Sequence, residues 1–472
     1  MLVAGVDSST QSVKVLLCEA ADGTVIGRGS APHPPGTEAD PAAWWAALTQ
    51  AGTGLLERAA AVGVAGQQHG MIVLDSDGQV IRPALLWNDL RSAGAAAELI
   101  TELGGPQRWA DQTGSVPTAS FTVTKLRWLA EHEPASAART QIVLLPHDWL
   151  TWRLAGCPEG AATTDRGDAS GTGYFSPATG EWLPSYAEAA IGHPVQLPRV
   201  ASPGATVDIS PGTFLSPSTI LSPGTVLAAG TGDNMAAALG LGLGPGDVAI
   251  SIGTSGTAFA VSEVPAADPT GAVAGFADAT GRFLPLVCTV NAGLVLAATA
   301  ALLGASLAEL ARLALEASPG AGGLTLLPYL DGERTPNRPD ATGVIRGLTT
   351  SNATRPNLAR ATVEAILASL ADAAAHLAGH GIEQRRVLLI GGGARSEAVC
   401  RLAPGIFGAP VSVPEPEEYV ALGAARQAAW ALAGSTEPPA WPGRPAAEHT
   451  GAPQPQVREQ HAALREDTAG WA

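Results

Sequence analysis

Short apolar runs that end in clusters of glycine and polar residues recur along this chain. Residues 2–6 form the first run, which ends at Asp7-Ser8-Ser9-Thr10-Gln11-Ser12. Residues 13–18 form a second, and after Asp22-Gly23 residues 24–28 form a third. Apolar runs of this length between turn residues predict a three-strand meander. The device returns in the second half: residues 248–252, then Gly253-Thr254-Ser255-Gly256, then residues 257–261. This repetition predicts an internal duplication, two related domains that each open with strand, polar turn and strand. Just before the second copy, an apolar run at 226–229 breaks at Gly230-Thr231-Gly232. Asp233 and Asn234 follow, and then a small-residue stretch at 235–241 that predicts a helix.

Helical periodicity also predicts helices over 41–61, 92–103, 123–133, 291–303, 306–316, 360–380 and 417–433. Short buried strands are predicted at 62–65, 84–87, 324–330 and 386–390. Residues 163–173 read as a polar, glycine-rich loop, and 193–225 are rich in proline, serine and glycine with no long helix. Strands alternating with helices place the chain in the α/β class. The domain change falls at 242–246, giving domains 1–243 and 244–434. The tail at 435–472 is rich in proline and alanine, and predicts either a short terminal helix or no packed order.

A length of 472 residues exceeds one ordinary core and suggests two or three domains. The net charge of −16 argues against a nucleic-acid-binding surface. It leaves anionic ligands open, because backbone amides, Mg²⁺ and local arginines can hold them. Cys18, Cys157, Cys288 and Cys400 are scattered, with neither zinc spacing nor a disulfide framework. The N-terminus enters a strand without a basic region or signal-type apolar segment, and no uninterrupted apolar run reaches the ~20 residues of a membrane span. The expectation is a cytoplasmic protein with no membrane partner. A homodimer is left open.

The polar clusters carry the candidate chemistry. Asp233, between a glycine turn and a helix start, either caps the helix or serves as a general base for a hydroxyl, with Asn234 beside it to contact a polyol. Asp7 either caps its turn or, next to a serine/threonine turn that holds phosphate, implies a bridging Mg²⁺. Gly253, Thr254, Ser255 and Gly256 form either a plain hairpin turn or a phosphate loop of amides and hydroxyls. Gln68 and His69 sit on a glycine-flanked turn where an amide and an imidazole can read hydroxyls, or where the histidine is structural. Gly391-Gly392-Gly393-Ala394-Arg395 follows a strand and precedes a helix, as in mononucleotide sites, but no Walker motif is present. The segment Asp331-Gly332-Glu333-Arg334-Thr335-Pro336 reads as a structural loop.

Taken together, the stretches VAGVDSSTQSVKV, VAGQQHGMIVLD, PALLWNDLRS, LLPHDWLTWRLAG, GTGDNMAAALG, SIGTSGTAFAVS, LLPYLDGERTPNRP, GVIRGLT, LLIGGGARSE and ALGAARQAA resemble the FGGY carbohydrate kinases. The resemblance spans roughly residues 2–433. It implies two actin-like (ribonuclease H-like) ATPase domains flanking a catalytic cleft. It also implies ATP-dependent phosphorylation of a sugar: D-xylulose to D-xylulose 5-phosphate, with another ketose or polyol such as ribulose as the alternative. A reading of another class is an actin-like ATPase module without sugar kinase activity. The resemblance makes Asp233 the catalytic base, and makes Gln68, His69 and Asn234 sugar contacts. Asp7, as metal ligand and second catalytic residue, and Thr10 would serve Mg²⁺ and the phosphates. Gly253–256 would hold the β/γ-phosphates of ATP, and Gly391, Gly392, Gly393 and Arg395 would border the adenosine, with residues 346–348 nearby. Two departures stand out: Gln68 replaces the methionine of the family's turn, and Ser9 stands where the family often has glycine.

Overall fold

The computed structural model describes residues 1–158, 160, 162–210, 213 and 220–471. Part of the stretch read as lacking a long helix, residues 211–212 and 214–219, lies outside the described residues. The chain forms two compact units. The first comprises Met1–Gly242, Glu263–Leu284 and Glu417–Gly443, and the second comprises Leu243–Ser262, Pro285–Pro416 and Arg444–Ala472.

In the first unit, strand Leu2–Ser8 pairs antiparallel with Ser12–Glu19, which pairs antiparallel with Val25–Pro32. On its other edge Leu2–Ser8 runs parallel to Ala61–Gly66, which runs parallel to Val226–Ala228. Thr206–Val207 closes this side antiparallel to Val226–Ala228. Strands Leu2–Ser8 and Ala61–Gly66 are apolar and almost wholly buried, as expected of strands covered on both faces.

The second unit repeats this order. Strand Asp247–Ile252 pairs antiparallel with Gly256–Ala260, which pairs antiparallel with Phe283–Thr289. On its other edge it runs parallel to Arg386–Ile390, then Val411–Pro414, and Ala446–His449 closes antiparallel. Strand order and direction thus agree element by element with the duplication expected from the two strand–turn–strand repeats.

Several elements depart from the sequence expectations. The helix expected over 41–61 is Pro41–Gly52. Gly54, at φ +74°, breaks it, and only a short 3-10 turn, Leu56–Arg58, follows. The expected loop at 163–173 holds strand Thr163–Asp165 and the short helix Arg166–Ala169, tied together by Asp165 at the N-cap. The tail is ordered: besides Ala446–His449 it forms helix Pro455–Asp467, which packs on the long helix Arg355–Gly379. That long helix is apolar enough to span a membrane by composition, but 78% of its apolar window is buried inside the protein.

Helix Tyr419–Ala433, the last strong helix of the sequence and assigned there to the second domain, packs in the first unit. It lies on Leu2–Ser8 and Ala61–Gly66 through small residues. A Cβ on Gly5 would sit 1.9 Å from the Ala421 carbonyl oxygen, and one on Gly423 would sit 1.8 Å from that of Ala236. Backbones this close admit only glycine at these two positions.

Candidate active site

Parallel pairing places the candidate groups of the first unit at one end of its sheet. Asp7 is in register with Ala65, and Ala65 with Thr231; Ser8 aligns with Gly66, and Gly66 with Gly232. The segments that leave these strands carry Thr10, Gln67, Gln68, His69, Asp233 and Asn234. In open α/β sheets, ligands bind where the carboxyl ends of parallel strands converge.

Asp233 is the first residue of helix Asp233–Leu241, with Gly232 at the N-cap, so it is not the cap itself. Its Oδ1 accepts hydrogen bonds from the Asn234 backbone N–H at 2.8 Å and from Asn234 Nδ2 at 2.9 Å. The same Nδ2 donates to Gln68 Oε1 at 2.9 Å. Asn234 therefore joins the base candidate to the glutamine turn. Burial, then the charges of Asp7 and Asp168, push the Asp233 carboxyl up to about 7. Asp7 is buried, and that burial raises its carboxyl to about 6 against the opposing pull of Lys14 and of the Ser9 hydroxyl. Ser9, the departure at this turn, thus turns its side chain toward Asp7. Thr10 Oγ1 accepts from Trp87 Nε1 at 2.8 Å and lies 3.4 Å from Gln67 Oε1, which ties the first turn to the Trp87-Asn88-Asp89 turn.

His69 is held in the left-handed region at φ +67°, a strained backbone for a residue with a side chain. Its Nδ1 meets the Gly171 carbonyl oxygen at 2.6 Å, and its ring packs in a triangle with Phe121 and Phe276, with centroids 4.7 and 5.7 Å away. Its carbonyl accepts from Thr122 Oγ1 at 3.2 Å and from Lys125 Nζ at 3.3 Å. Lys125, one of two lysines in the chain, is wholly buried; its ammonium also donates to the Ser120 carbonyl. Burial lowers its pKa to about 7, opposed only in part by Asp89.

Behind the Asp233 turn lies a buried polar layer that the sequence patterns did not reveal. His147 Nδ1 meets Asp168 Oδ2 at 2.6 Å, and Nε2 faces Asp148 Oδ1 at 3.2 Å. Burial would push this imidazole toward neutrality, but the two carboxylates outweigh it and raise its pKa to about 9. The donor atoms of His147, Asp148 and Asp168 lie within 4.8 Å of one another, close enough for a metal. An imidazolium between two carboxylates accounts for the same geometry through charge pairing. Asp165 accepts from Thr231 Oγ1 at 2.7 Å and from the N–H groups of Gly167 and Asp168, each at 2.9 Å. Gln427, on helix Tyr419–Ala433, clamps Gly230 from the other side: its Oε1 accepts from Gly230 N at 3.1 Å, and its Nε2 donates to Gly230 O at 2.9 Å. The turn that carries Asp233 is thus fixed by groups from three distant segments.

Among the described residues, the buried atoms without a hydrogen-bond partner include Asp7 Oδ1, Gln67 Nε2, Gln68 Nε2 and Asp168 Oδ1. Asp168 Oδ1 and the Gln68 side chain both border Gly232, where a Cβ would meet them at 3.2 and 2.9 Å. Buried polar atoms are nearly always paired, so these atoms are candidates for bonding to a polar ligand or to water.

The nucleotide candidates lie together in the second unit. Ser251 is in register with Ile390, so Gly253–256 and Gly391–Arg395 leave adjacent strand ends. A Cβ on Gly391 would stand 2.7 Å from the Ile252 carbonyl oxygen, and one on Gly393 would stand 2.2 Å from Ile252 Cγ2, so the two turns abut. Residues Gly392–Arg395 form a 3-10 turn, and the α-helix starts only at Glu397. The glycines themselves do not open that helix, and an acidic residue does.

Family models for the N-terminal and C-terminal domains of the FGGY carbohydrate kinases match residues 2–240 and 248–432. The chain belongs to the FGGY family of carbohydrate kinases. This FGGY kinase is 50% identical to a xylulose kinase of Streptomyces coelicolor, over 92% of this chain and 88% of that protein. It is 36% identical to a xylulose kinase of Escherichia coli, over 90% and 89%. A solved structure, the xylulose kinase from Bifidobacterium adolescentis, superposes with a TM-score of 0.91 at 46% identity, covering 98% of this chain and 99% of that one. The fold is the actin-like ATPase fold of FGGY kinases, and the chain is an ATP-dependent carbohydrate kinase.

Proposed function

We propose that this FGGY kinase transfers the γ-phosphoryl group of ATP to the 5-hydroxyl of D-xylulose, giving ADP and D-xylulose 5-phosphate. The observation that carries the reading is the Asp233–Asn234–Gln68 chain beside buried, unpartnered amide and carboxylate atoms. Relatives about half identical over most of the chain and named xylulose kinases support the choice of sugar.

Gln68 Nε2 donates to a sugar hydroxyl, and Asn234 holds Gln68 and Asp233 in one register. His69, clamped through its carbonyl and its ring, forms a second wall for the sugar. Asp233, with its carboxyl raised toward neutrality, accepts the proton of the 5-hydroxyl as that oxygen bonds to phosphorus. Phosphoryl transfer passes through a loose transition state, so holding the hydroxyl in line matters as much as removing its proton. Gly253, Thr254, Ser255 and Gly256 hold the ATP phosphates, and Gly391, Gly392, Gly393 and Arg395 border the adenosine. The Asp7 carboxylate, buried with one oxygen unpartnered, fits a hard divalent cation. Bound Mg²⁺ would supply neutralising charge on the phosphates, with Asp7 holding it and Thr10 setting the turn beside it.

The test is ADP release from Mg-ATP with D-xylulose, D-ribulose, L-ribulose, xylitol, glycerol or gluconate, against a no-sugar control. The reading expects D-xylulose to give the highest kcat/KM. Preference for another sugar, for which Gln68 in place of methionine would be the first residue to examine, would overturn the substrate assignment. Equal ADP release with and without every sugar would overturn the kinase reading.

A further inference from the structure

The loop Asp331–336 is absorbed by neither the sugar groups nor the nucleotide turns, yet it holds a carboxylate buried to 2% exposure, Glu333. Every group that meets this carboxylate is a donor. Oε1 accepts from the Val290 N–H at 2.6 Å and the Arg334 N–H at 2.7 Å. Oε2 accepts from Asn291 Nδ2 at 3.0 Å and faces the Asn291 N–H at 3.4 Å. Asn291, itself fully buried, returns the connection: its Nδ2 donates to the Gly332 carbonyl at 2.6 Å, and its Oδ1 accepts from the Leu330 N–H at 3.0 Å. The loop and residues 290–291 are locked together around one buried charge. Donors on both oxygens offset the burial of this carboxylate, and so firm a lock calls for something to hold.

The next residues supply it. The N–H of Gly293 donates to the Gly253 carbonyl at 2.9 Å, and that of Leu294 donates to the Thr254 carbonyl at 3.2 Å. In a trans peptide the carbonyl and the following N–H point in opposite directions. Tying back the carbonyls of Gly253 and Thr254 therefore turns the N–H groups of Thr254 and Ser255 the other way, to the open side of the turn. The fit is tight, since a Cβ on Gly293 would stand 2.3 Å from the Gly253 oxygen.

We infer that Glu333 is a positioning residue for nucleotide phosphate: it fixes residues 290–291 so that Gly293 and Leu294 aim the Thr254 and Ser255 amides at the phosphates of ATP. This rests on the reading of Gly253–256 as the phosphate turn. Glu333 touches no substrate and acts through the backbone.

The experiment measures binding of ADP and of adenosine to the full-length enzyme by calorimetry, for wild type, Glu333→Gln, Gly293→Ala and Thr254→Pro. Glu333→Gln sets an amide NH₂ against donors, and Gly293→Ala disturbs the same link without touching the carboxylate. Both are expected to weaken ADP by about tenfold or more, the scale of one misdirected charge-assisted bond. Adenosine, which lacks phosphate, should bind as in wild type, and the KM for D-xylulose should stay within about twofold. Equal loss of ADP and adenosine would overturn the inference, because a general structural role would produce it. Unchanged ADP binding in Glu333→Gln, with loss in Thr254→Pro, would overturn the inference while leaving the phosphate turn standing. Unchanged ADP binding in Thr254→Pro would overturn the phosphate-turn reading and the inference with it.

Discussion

Replacing Lys125 by methionine keeps most of the side-chain volume and removes the charge. The Ser120 carbonyl then loses its ammonium donor, and the His69 carbonyl keeps only the Thr122 hydroxyl. Leaving a buried acceptor unpaired costs about 1–3 kcal/mol. Against this stands the cost of burying an ammonium, visible in the fall of its pKa from 10.5 to about 7. A shift of that size corresponds to roughly 5 kcal/mol between the two protonation states. The sign follows from proton binding. Between about pH 7 and pH 10.5 the unfolded chain holds a proton on Lys125 that the folded protein does not, so wild-type stability rises with pH across this window. Below about pH 7 the lysine is charged in both states and the full penalty applies. The methionine variant lacks this dependence. Between pH 6 and pH 10 the wild type should therefore gain a few kcal/mol of unfolding free energy on the variant. Denaturant unfolding of both proteins from pH 6 to pH 10 reads the difference directly, because all other groups cancel in the comparison. Loosening the His69 carbonyl should also raise the KM for D-xylulose and leave the KM for ATP unchanged. A stability difference that stays constant from pH 6 to pH 10, or an equal change in both KM values, would refute the reasoning.

Gln427→Leu leaves the N–H and C=O of Gly230 unpaired. It should cost about 2–6 kcal/mol in denaturant unfolding and lower kcat, because the Asp233 turn loses a clamp. Asp372 meets Arg458 at 3.3 Å, His461 at 3.7 Å and Arg465; these outweigh its burial and hold its carboxyl below the usual range. Asp372→Ala should therefore speed amide exchange across Pro455–Asp467 at pH 7, by about 1 kcal/mol of local opening. In the wild type the same protection should fade as pH falls below the ordinary aspartate range, since a carboxyl with a lowered pKa stabilises only while ionised.

The parts of the candidate site legible in the sequence are those whose chemistry sits next to a strand end in the chain. Asp7, Gln68, His69, Asp233 and both glycine turns each follow an apolar run directly, and the repeated strand–turn–strand device announced the paired sheets. The supporting residues were not legible, because their partners are distant. His147 looks like the start of an ordinary helix after Pro146. Asp165 and Asp168 lie in a stretch so rich in glycine and hydroxyls that it reads as solvent-facing loop, although it is buried and orients both Thr231 and His69. Lys125 left one usable signal, a lysine in an arginine-biased chain within the apolar face Val123, Leu126 and Leu129. Helix Tyr419–Ala433 was grouped with its sequence neighbours, yet its alanine and glycine surface matches the bare backbone at Gly5 and Gly63, which periodicity alone does not pair. The Glu333 loop was recognisable as a motif, but its partners at Val290 and Asn291 were not.

The account turns on Asp233 as the base for the sugar hydroxyl. Single-turnover transfer from Mg-ATP to D-xylulose by Asp233→Asn, with ADP affinity measured on the same preparation, tests it most directly. The account predicts a rate lower by about 10²–10⁴ with ADP binding as in wild type. A rate within a few-fold of wild type would contradict it and leave Asp233 as a residue that only shapes the start of its helix.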